Sequence, residues 1–359
     1  MGWRIYGKIY GQEGSKTMNH IFVTGATGRV GTNLVKALLE RGYRVRSGVM
    51  REDPKREKLQ GLDTEVVAAD LTDPQALDRA VEGVDAVIHT ACVMGRPSSM
   101  SRSEYFDINV KGTFYLLDAA SRRADRLAKF VYISSDSVYP AAYDPCYTPV
   151  DENHPKRPYD DYMLIKNLCE QMVLEAWREH GLQATILRPG AIAAGTEILN
   201  NWTAGLVRAL MERAARAKRG PLYLPHDPQP WASLFAQVES PQTMVVPRDP
   251  EGRPWLWHRS DVRDVVHGIL CGLESEAAVG EAFNIFSPEP ISFATAVPYL
   301  AEKTGQSYVE WTAPVQWIYA CDNTKAKTLI GFRPQYDVYR MLDDALALQA
   351  GKDIGVIPA

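Results

Sequence analysis

The chain has 359 residues, 45% of them hydrophobic and 23% charged, with a formal net charge of −4. That balance belongs to a globular chain with a sizeable core and excludes a nucleic-acid or anionic-membrane surface as partner. Five scattered cysteines without a Cys-x-x-Cys pair exclude a disulfide framework and a zinc site, and read as reduced thiols of a cytoplasmic protein with no metal.

No apolar run reaches the length of a transmembrane helix. Residues 1–19 read as a leader, disordered or a start-site artefact, without the apolar core of a signal peptide. Ile21-Phe22-Val23-Thr24 is a short apolar strand that runs into Gly25-Ala26-Thr27-Gly28-Arg29-Val30-Gly31 and an amphipathic helix. Strand, glycine turn and helix is the context that gives a glycine motif meaning. The turn lets backbone approach a pyrophosphate, which the helix N-terminus stabilises. Gly25, Thr27, Gly28, Arg29, Val30 and Gly31 are the cofactor candidates here.

A second strand, Arg44 to Val49, ends in Met50-Arg51, with Arg46, Lys55 and Arg56 nearby. Positive charge at that point suits a 2′-phosphate and favours NADP over NAD, with Arg51 as a contact. Glu52 and Asp53 follow, and an acid there serves a ribose instead. Thr64 to Ala69 is a third strand ending in Asp70-Leu71, an acid placed to accept from an adenine amino group. Ala86 to Ile88 leads to His89-Thr90-Ala91-Cys92, where small residues let the chain pass close to the cofactor. A helix from Ser103 to Ala120 carries Asn109, and a fifth strand, Phe130 to Ile133, ends in Ser134-Ser135.

Tyr162 and Lys166 follow a loop rich in Pro, Tyr and Asp, four residues apart where a helix begins. That spacing puts them on one face, and a fixed ammonium beside a phenol favours phenolate. A sixth strand, Ala184 to Leu187, closes on Arg188-Pro189-Gly190. The alternation argues an α/β, Rossmann-type, doubly wound parallel sheet over residues 20–190, with a nucleotide across its carboxyl edge.

Beyond Gly190 the pattern breaks. An amphipathic helix (Asn200 to Lys218), an irregular stretch (Pro221 to Arg253), helices at Asp261 to Leu273 and Phe293 to Thr304, and a strand at Phe283 to Ile285 follow. Residues 191–350 read mainly as a smaller C-terminal α/β substrate-binding lobe, with some segments returning to the sheet. Trp231, Trp255 and Trp257 either stack on a substrate ring or form the core of that lobe.

These residues resemble the extended short-chain dehydrogenases/reductases, the NAD-dependent epimerase/dehydratase family. The likeness is carried by the Gly25–Gly31 turn, Asp70-Leu71, His89-Thr90-Ala91, Asn109-Val110-Lys111-Gly112-Thr113, Ser134-Ser135-Asp136-Ser137-Val138-Tyr139, Tyr162 to Lys166 and Arg188-Pro189-Gly190. His258-Arg259-Ser260-Asp261-Val262 and Asp322 to Lys327 continue it, so it spans Ile21 to about Leu348.

The resemblance implies that Tyr162 moves the proton on a substrate oxygen while a hydride passes to or from nicotinamide C4. Lys166 assists it, Ser135 hydrogen-bonds the same oxygen, Asn109 is the fourth catalytic position, and Pro189 contacts the cofactor. A free phenol titrates near ~10, so a base at neutral pH needs a shift of about three units, roughly 4 kcal/mol. Asn109 equally serves helix packing. Tyr159 competes with Tyr162 but lacks a lysine four residues on.

The resemblance also implies a homodimer built on the helices spanning Ser103–Ala120 and Asp161–Trp177. Substrate contacts are expected from Ser135, Asp136, Ser137, Arg259 and Trp257. Sugar-nucleotide members carry an Asn after the strand-six Arg-Pro, where this chain has Gly190-Ala191-Ile192, and an Arg where it has Pro254, beside Arg253. Dehydratase members carry a second acid beside the position of Asp136, where this chain has Ser137.

The expected function is NAD(P)-dependent hydride transfer, as oxidoreductase or epimerase, on a secondary alcohol or ketone of a small sugar- or sugar-nucleotide-like substrate. The alternatives are an NADPH-dependent reductase of a non-sugar carbonyl compound, and a non-catalytic NAD(P) sensor, a class that tends to lose the Tyr/Lys pair.

Overall fold

The computed structural model describes residues 18–140 and 145–358; of the leader expected over residues 1–19, residues 1–17 lie outside them. Seven strands form the main sheet: β1 (His20–Thr24), β2 (Arg44–Val49), β3 (Glu65–Ala68), β4 (Ala86–His89), β5 (Lys129–Ile133), β6 (Ala184–Pro189) and β7 (Ala282–Ile285). Their order is β7-β6-β5-β4-β1-β2-β3, and every pairing is parallel. Strands such as Ile21-Phe22-Val23 and Phe130-Val131 are apolar without alternation because both faces are covered.

One face packs on the helices Arg29–Glu40 and Val262–Glu274, through Leu34, Val35, Leu38, Val265 and Ile269. The other packs on Pro74–Val81, Gly112–Ser121 and Asp161–His180, through Leu77, Leu116, Leu117, Cys169 and Val173. The chain order reverses between β1 and β4, which opens the ligand crevice at their carboxyl ends. β7 lies beside β6, so a segment more than ninety residues later in sequence completes the sheet.

The helix expected from Ser103 to Ala120 is interrupted. Arg102–Phe106 is α-helical, Asp107–Lys111 is a π turn, and Gly112–Ser121 resumes the α-helix. Gly112 lies so close to Leu71 that a Cβ there would come within 2.6 Å of the leucine Cβ. The extra residue of the π turn brings this point onto the loop after β3.

The lobe has a separate core around Trp202, Trp255, Trp311 and Trp317, with Met211, Val245, Phe286 and Phe293. Trp255 and Trp257 both pack on Trp317, with ring centroids 5.5 and 6.0 Å away; Trp231 packs against the same core. The stretch expected to be irregular contains a short helix, Ala232–Phe235, and a strand, Met244–Arg248. That strand pairs in parallel with Tyr308–Thr312, a distant partner that local sequence does not reveal. His258 accepts from the Cys321 backbone at Nδ1 and donates from Nε2 to the Ser287 carbonyl; burial holds its pKa down at about 4. It stitches the lobe to the segment after β7.

Candidate active site

The glycine turn is shaped by close approach. Gly25 has φ +64°, and a Cβ there would lie 2.8 Å from the Ala91 Cα. At Gly31 a Cβ would stand 2.0 Å from the Gly25 carbonyl oxygen, so the first helix begins directly against the turn. Gly28 is its N-cap, with no side-chain cap and no acid in the first turn. The N–H groups of Arg29, Val30 and Gly31 therefore have no intrahelical partner. Uncapped N–H groups over a turn stripped of side chains fit the phosphates of a dinucleotide.

Around this turn, Thr90 donates from Oγ1 to the Thr24 carbonyl (2.7 Å), and the Ala91 N–H donates to Thr24 Oγ1 (3.2 Å). His89 bridges Thr24 (2.7 Å) and Thr113 (3.0 Å), and burial drives its pKa down to about 3, so it is neutral. Thr27 donates to Asp53 Oδ2 at 2.6 Å, a contact that the sequence reading missed. Arg46 is turned away, paired with Glu65 (2.9 Å) and donating to the carbonyls of Ala80 and Glu82. Arg51 is exposed, and Asp70 is exposed and accepts from Thr72, while Leu71 is buried beneath Gly112.

Asp160 starts the next helix by accepting from the Met163 N–H at 2.9 Å, which puts Tyr162 in its first turn and Lys166 one turn on. Lys166 Nζ donates to the Ile133 carbonyl (2.9 Å) and stands 6.0 Å from the Tyr162 ring centroid. Ser135 is within hydrogen-bonding reach of the Tyr162 phenol; its Oγ donates to Asp136 Oδ1 (2.8 Å) and accepts from the Ser137 N–H (3.1 Å). Tyr162, Ser135, Lys166 and Asp136 thus form one cluster where β5 ends.

Burial raises the Tyr162 pKa above its usual 10, against the pull of Lys166 and the Ser135 hydrogen bond. Burial also pushes Asp136 up to about 7, despite the Ser135 hydrogen bond. Cys92 joins the cluster with its thiol against the Lys166 ammonium; its sole signal in the sequence is its place after the small residues that follow β4.

The other candidates lie around this cluster. Asn109 accepts from the Val93 N–H (2.9 Å) and donates to the Tyr105 carbonyl (2.9 Å), so it fixes the chain after β4. Tyr159 carries the Arg219 guanidinium on its ring at 3.9 Å. Pro189 ends β6, and Gly190 beyond it donates to Ser260 Oγ. Arg259 is 5% exposed, with its guanidinium 4.3 Å from the Trp257 ring centroid. A buried network missed by sequence reasoning holds the Tyr162 helix: Glu170 accepts from Arg188 through both oxygens (2.8 Å each) and also pairs with Lys156.

A profile of the family described as "NAD dependent epimerase/dehydratase family" matches residues 21–285. The 3 beta-hydroxysteroid dehydrogenase/Delta 5→4-isomerase of Mycobacterium tuberculosis is 34% identical over 308 residues, 81% of this chain and 71% of that protein. Sterol demethylase protein B of Methylococcus capsulatus is 38% identical over 174 residues, 47% of this chain; the match spans half (50%) of that relative's length. Among solved structures, a short-chain dehydrogenase/reductase superfamily protein from Agrobacterium tumefaciens with bound NAD superposes with TM-score 0.75. It is 32% identical, and the match covers 93% of this chain and 100% of that one.

Proposed function

The chain belongs to the NAD-dependent epimerase/dehydratase family and is an enzyme of the extended short-chain dehydrogenase/reductase type; from that premise we propose that it interconverts a secondary alcohol and a ketone on a non-sugar, largely apolar substrate. The observation that carries this reading is the state of Arg253. It donates to Asp249 (2.6 Å) and Glu251 (2.9 Å) in its own surface turn, so it is spent before a sugar nucleotide's diphosphate could use it. Ala191 and Ile192 supply no polar side chain after β6. The steroid-acting relative at 34% identity supports the same class.

When bound, NAD would supply the hydride acceptor and a positive charge on its nicotinamide, with Tyr162, Lys166 and Ser135 the residues that would act around it. Tyr162 takes the alcohol proton in oxidation and returns it in reduction. Lys166 holds positive charge next to the phenol and opposes the rise that burial causes. Ser135 positions the substrate oxygen, and Asp136 orients the Ser135 hydroxyl.

We further propose NAD as the preferred cofactor, in place of the NADP expectation. Asp53 stands at Thr27 beyond the end of β2, where an acid meets a ribose 2′-hydroxyl, and Arg46 is committed to Glu65. A homodimer is supported by a groove between Gly112–Ser121 and Asp161–His180 lined by Phe114, Leu117 and Met172, with Phe114 52% exposed; a monomer by light scattering at assay concentration would reject it. Among the described residues no helix is long and apolar enough to cross a membrane, and free thiols there suit the reducing cytoplasm.

The test is a panel of hydroxysteroid-like alcohols and their ketones beside UDP-sugars, with NAD(H) and NADP(H). Stoichiometric cofactor consumption on the apolar panel is expected. Turnover of a UDP-sugar with no cofactor added would overturn the reading in favour of an epimerase.

A further inference from the structure

The first helix of the sheet domain and the short strand Arg259–Asp261 bring two arginines together. Arg29 is the first residue of the helix after the glycine turn, and its Nη1 donates to the Ile192 carbonyl at 2.8 Å. Arg259 pairs in register with Ala191, two residues beyond the end of β6. The two guanidiniums repel each other, and both feel Glu197. Glu197 Oε1 lies 3.5 Å from Arg29 Nε and already accepts from the Ala194 N–H at 2.8 Å.

The Nε atoms of both arginines are buried without a hydrogen-bond partner, and among the described residues Arg259 forms no ion pair. One carboxylate therefore faces two cations, and the more buried cation has none of its own. A buried charge in that condition is costly, and buried polar groups are ordinarily satisfied. Burial lowers the Arg259 pKa to about 10, which still leaves it charged at neutral pH. The missing partner is an anion.

Its place in the crevice says which one. Asp53 and Thr27 mark the adenosine end, and Ser135, Tyr162 and Pro189 the nicotinamide end. Arg29 opens the uncapped helix after the glycine turn, and Arg259, close enough to Arg29 to feel its charge, pairs with Ala191 just beyond Pro189. Resting on the cofactor reading above, we propose that Arg29 and Arg259 form a guanidinium pair that binds the diphosphate of the dinucleotide, adding side-chain recognition to the N–H groups of the glycine turn. Guanidinium is suited to this role by its planar, multiply donating geometry.

The experiment uses the full chain stripped of nucleotide. Calorimetry gives Kd for NADH and for ADP-ribose, which carries the diphosphate without nicotinamide, in the wild type, Arg259→Met and Arg29→Met. Each variant is expected to weaken both ligands by about tenfold or more, the worth of a charge-assisted hydrogen bond. The melting temperature of nucleotide-free Arg259→Met should equal or exceed that of the wild type, because an uncompensated buried cation is gone. NADH should raise it by less.

Affinities within twofold of wild type for both ligands overturn the pair, and so does a lowered melting temperature with unchanged affinity, which marks a structural role. A rise confined to the KM of the alcohol at saturating NAD assigns the guanidiniums to a substrate anion and also overturns it. A wild type that binds neither NADH, NADPH nor ADP-ribose sinks the cofactor reading itself, a separate failure. Should Arg259→Met not fold, Arg29→Met at the more exposed position decides.

Discussion

Along the carboxyl edge of the sheet, from Thr24 to Pro189, polar groups are held by contacts that cross between elements. Thr90 bonds to Thr24, His89 spans Thr24 and Thr113, and Lys166 bonds to the Ile133 carbonyl. In the lobe Arg253 turns on its near neighbours Asp249 and Glu251, Arg248 and Lys303 form exposed pairs with Glu310 and Asp343, and the interior is aromatic. The sheet edge is preorganised for one chemistry, whereas the lobe offers shape. A family can keep the first and vary the second.

The largest effect expected on the sheet side is Tyr162→Phe, which should lower kcat by about 10²–10⁴-fold, the usual worth of a positioned acid/base. The Kd for NADH should stay within twofold, since the ring and its packing remain. Rapid-quench or steady-state rates with fluorescence titration check both. A kcat within tenfold of wild type would mean that the cluster at the end of β5 is not the reacting centre.

The matching test of the lobe is Trp255→Ala. Trp255 is fully buried and donates to the Val315 carbonyl, so its truncation should cost about 3–5 kcal/mol. The lobe core is distinct from the two sheet cores. Denaturation followed by tryptophan fluorescence should therefore fall at lower urea in the variant, while far-UV circular dichroism of the sheet domain shifts less. Coincident transitions would show that the two halves unfold as one.

The same contrast explains what could be read in advance. Most of strands β1 to β6 are short apolar stretches bounded by turn residues, and the Tyr162/Lys166 spacing is a property of any helix, so both are local signals. The Met244–Arg248 strand contains Pro247 and depends on Tyr308–Thr312, over sixty residues away; no local pattern encodes that. Trp255 and Trp257 are adjacent in sequence to an irregular stretch, and both pack on Trp317, an equally distant partner. At the site, Asp53 was legible as an acid near β2, but the charge count nearby outvoted it because sequence does not show Arg46 folding back onto Glu65. The unpaired state of Arg259 is likewise a property of what packs around it.

A smaller effect is expected at Asp53. Asp53→Asn removes the negative charge that disfavours a 2′-phosphate, and should raise kcat/KM with NADPH relative to NADH by about tenfold, one charge interaction at a partly exposed site. An unchanged ratio would separate Asp53 from the ribose.

The finest probe joins the two halves at Asp136, which is buried at the sheet edge near Cys321 of the lobe, whose thiol pKa is raised by burial and then by the Asp136 charge. Burial lifts the Asp136 carboxyl from 3.8 to about 7. Between those values the folded protein holds a proton that the unfolded chain has lost, so this group makes stability fall as pH rises from about 3.8 to about 7. Above 7 its charge also opposes ionisation of Tyr162. Asp136→Asn keeps an acceptor for the Ser135 hydroxyl but removes both effects. Urea denaturation of the variant should lose that component of its pH slope. In the oxidation direction, where Tyr162 must be ionised, the acid limb of kcat/KM should move to lower pH. A limb that stays in place while the stability slope changes would confine Asp136 to the fold; movement of both would make it the carboxyl that ties the proton inventory of the site to the packing of the lobe.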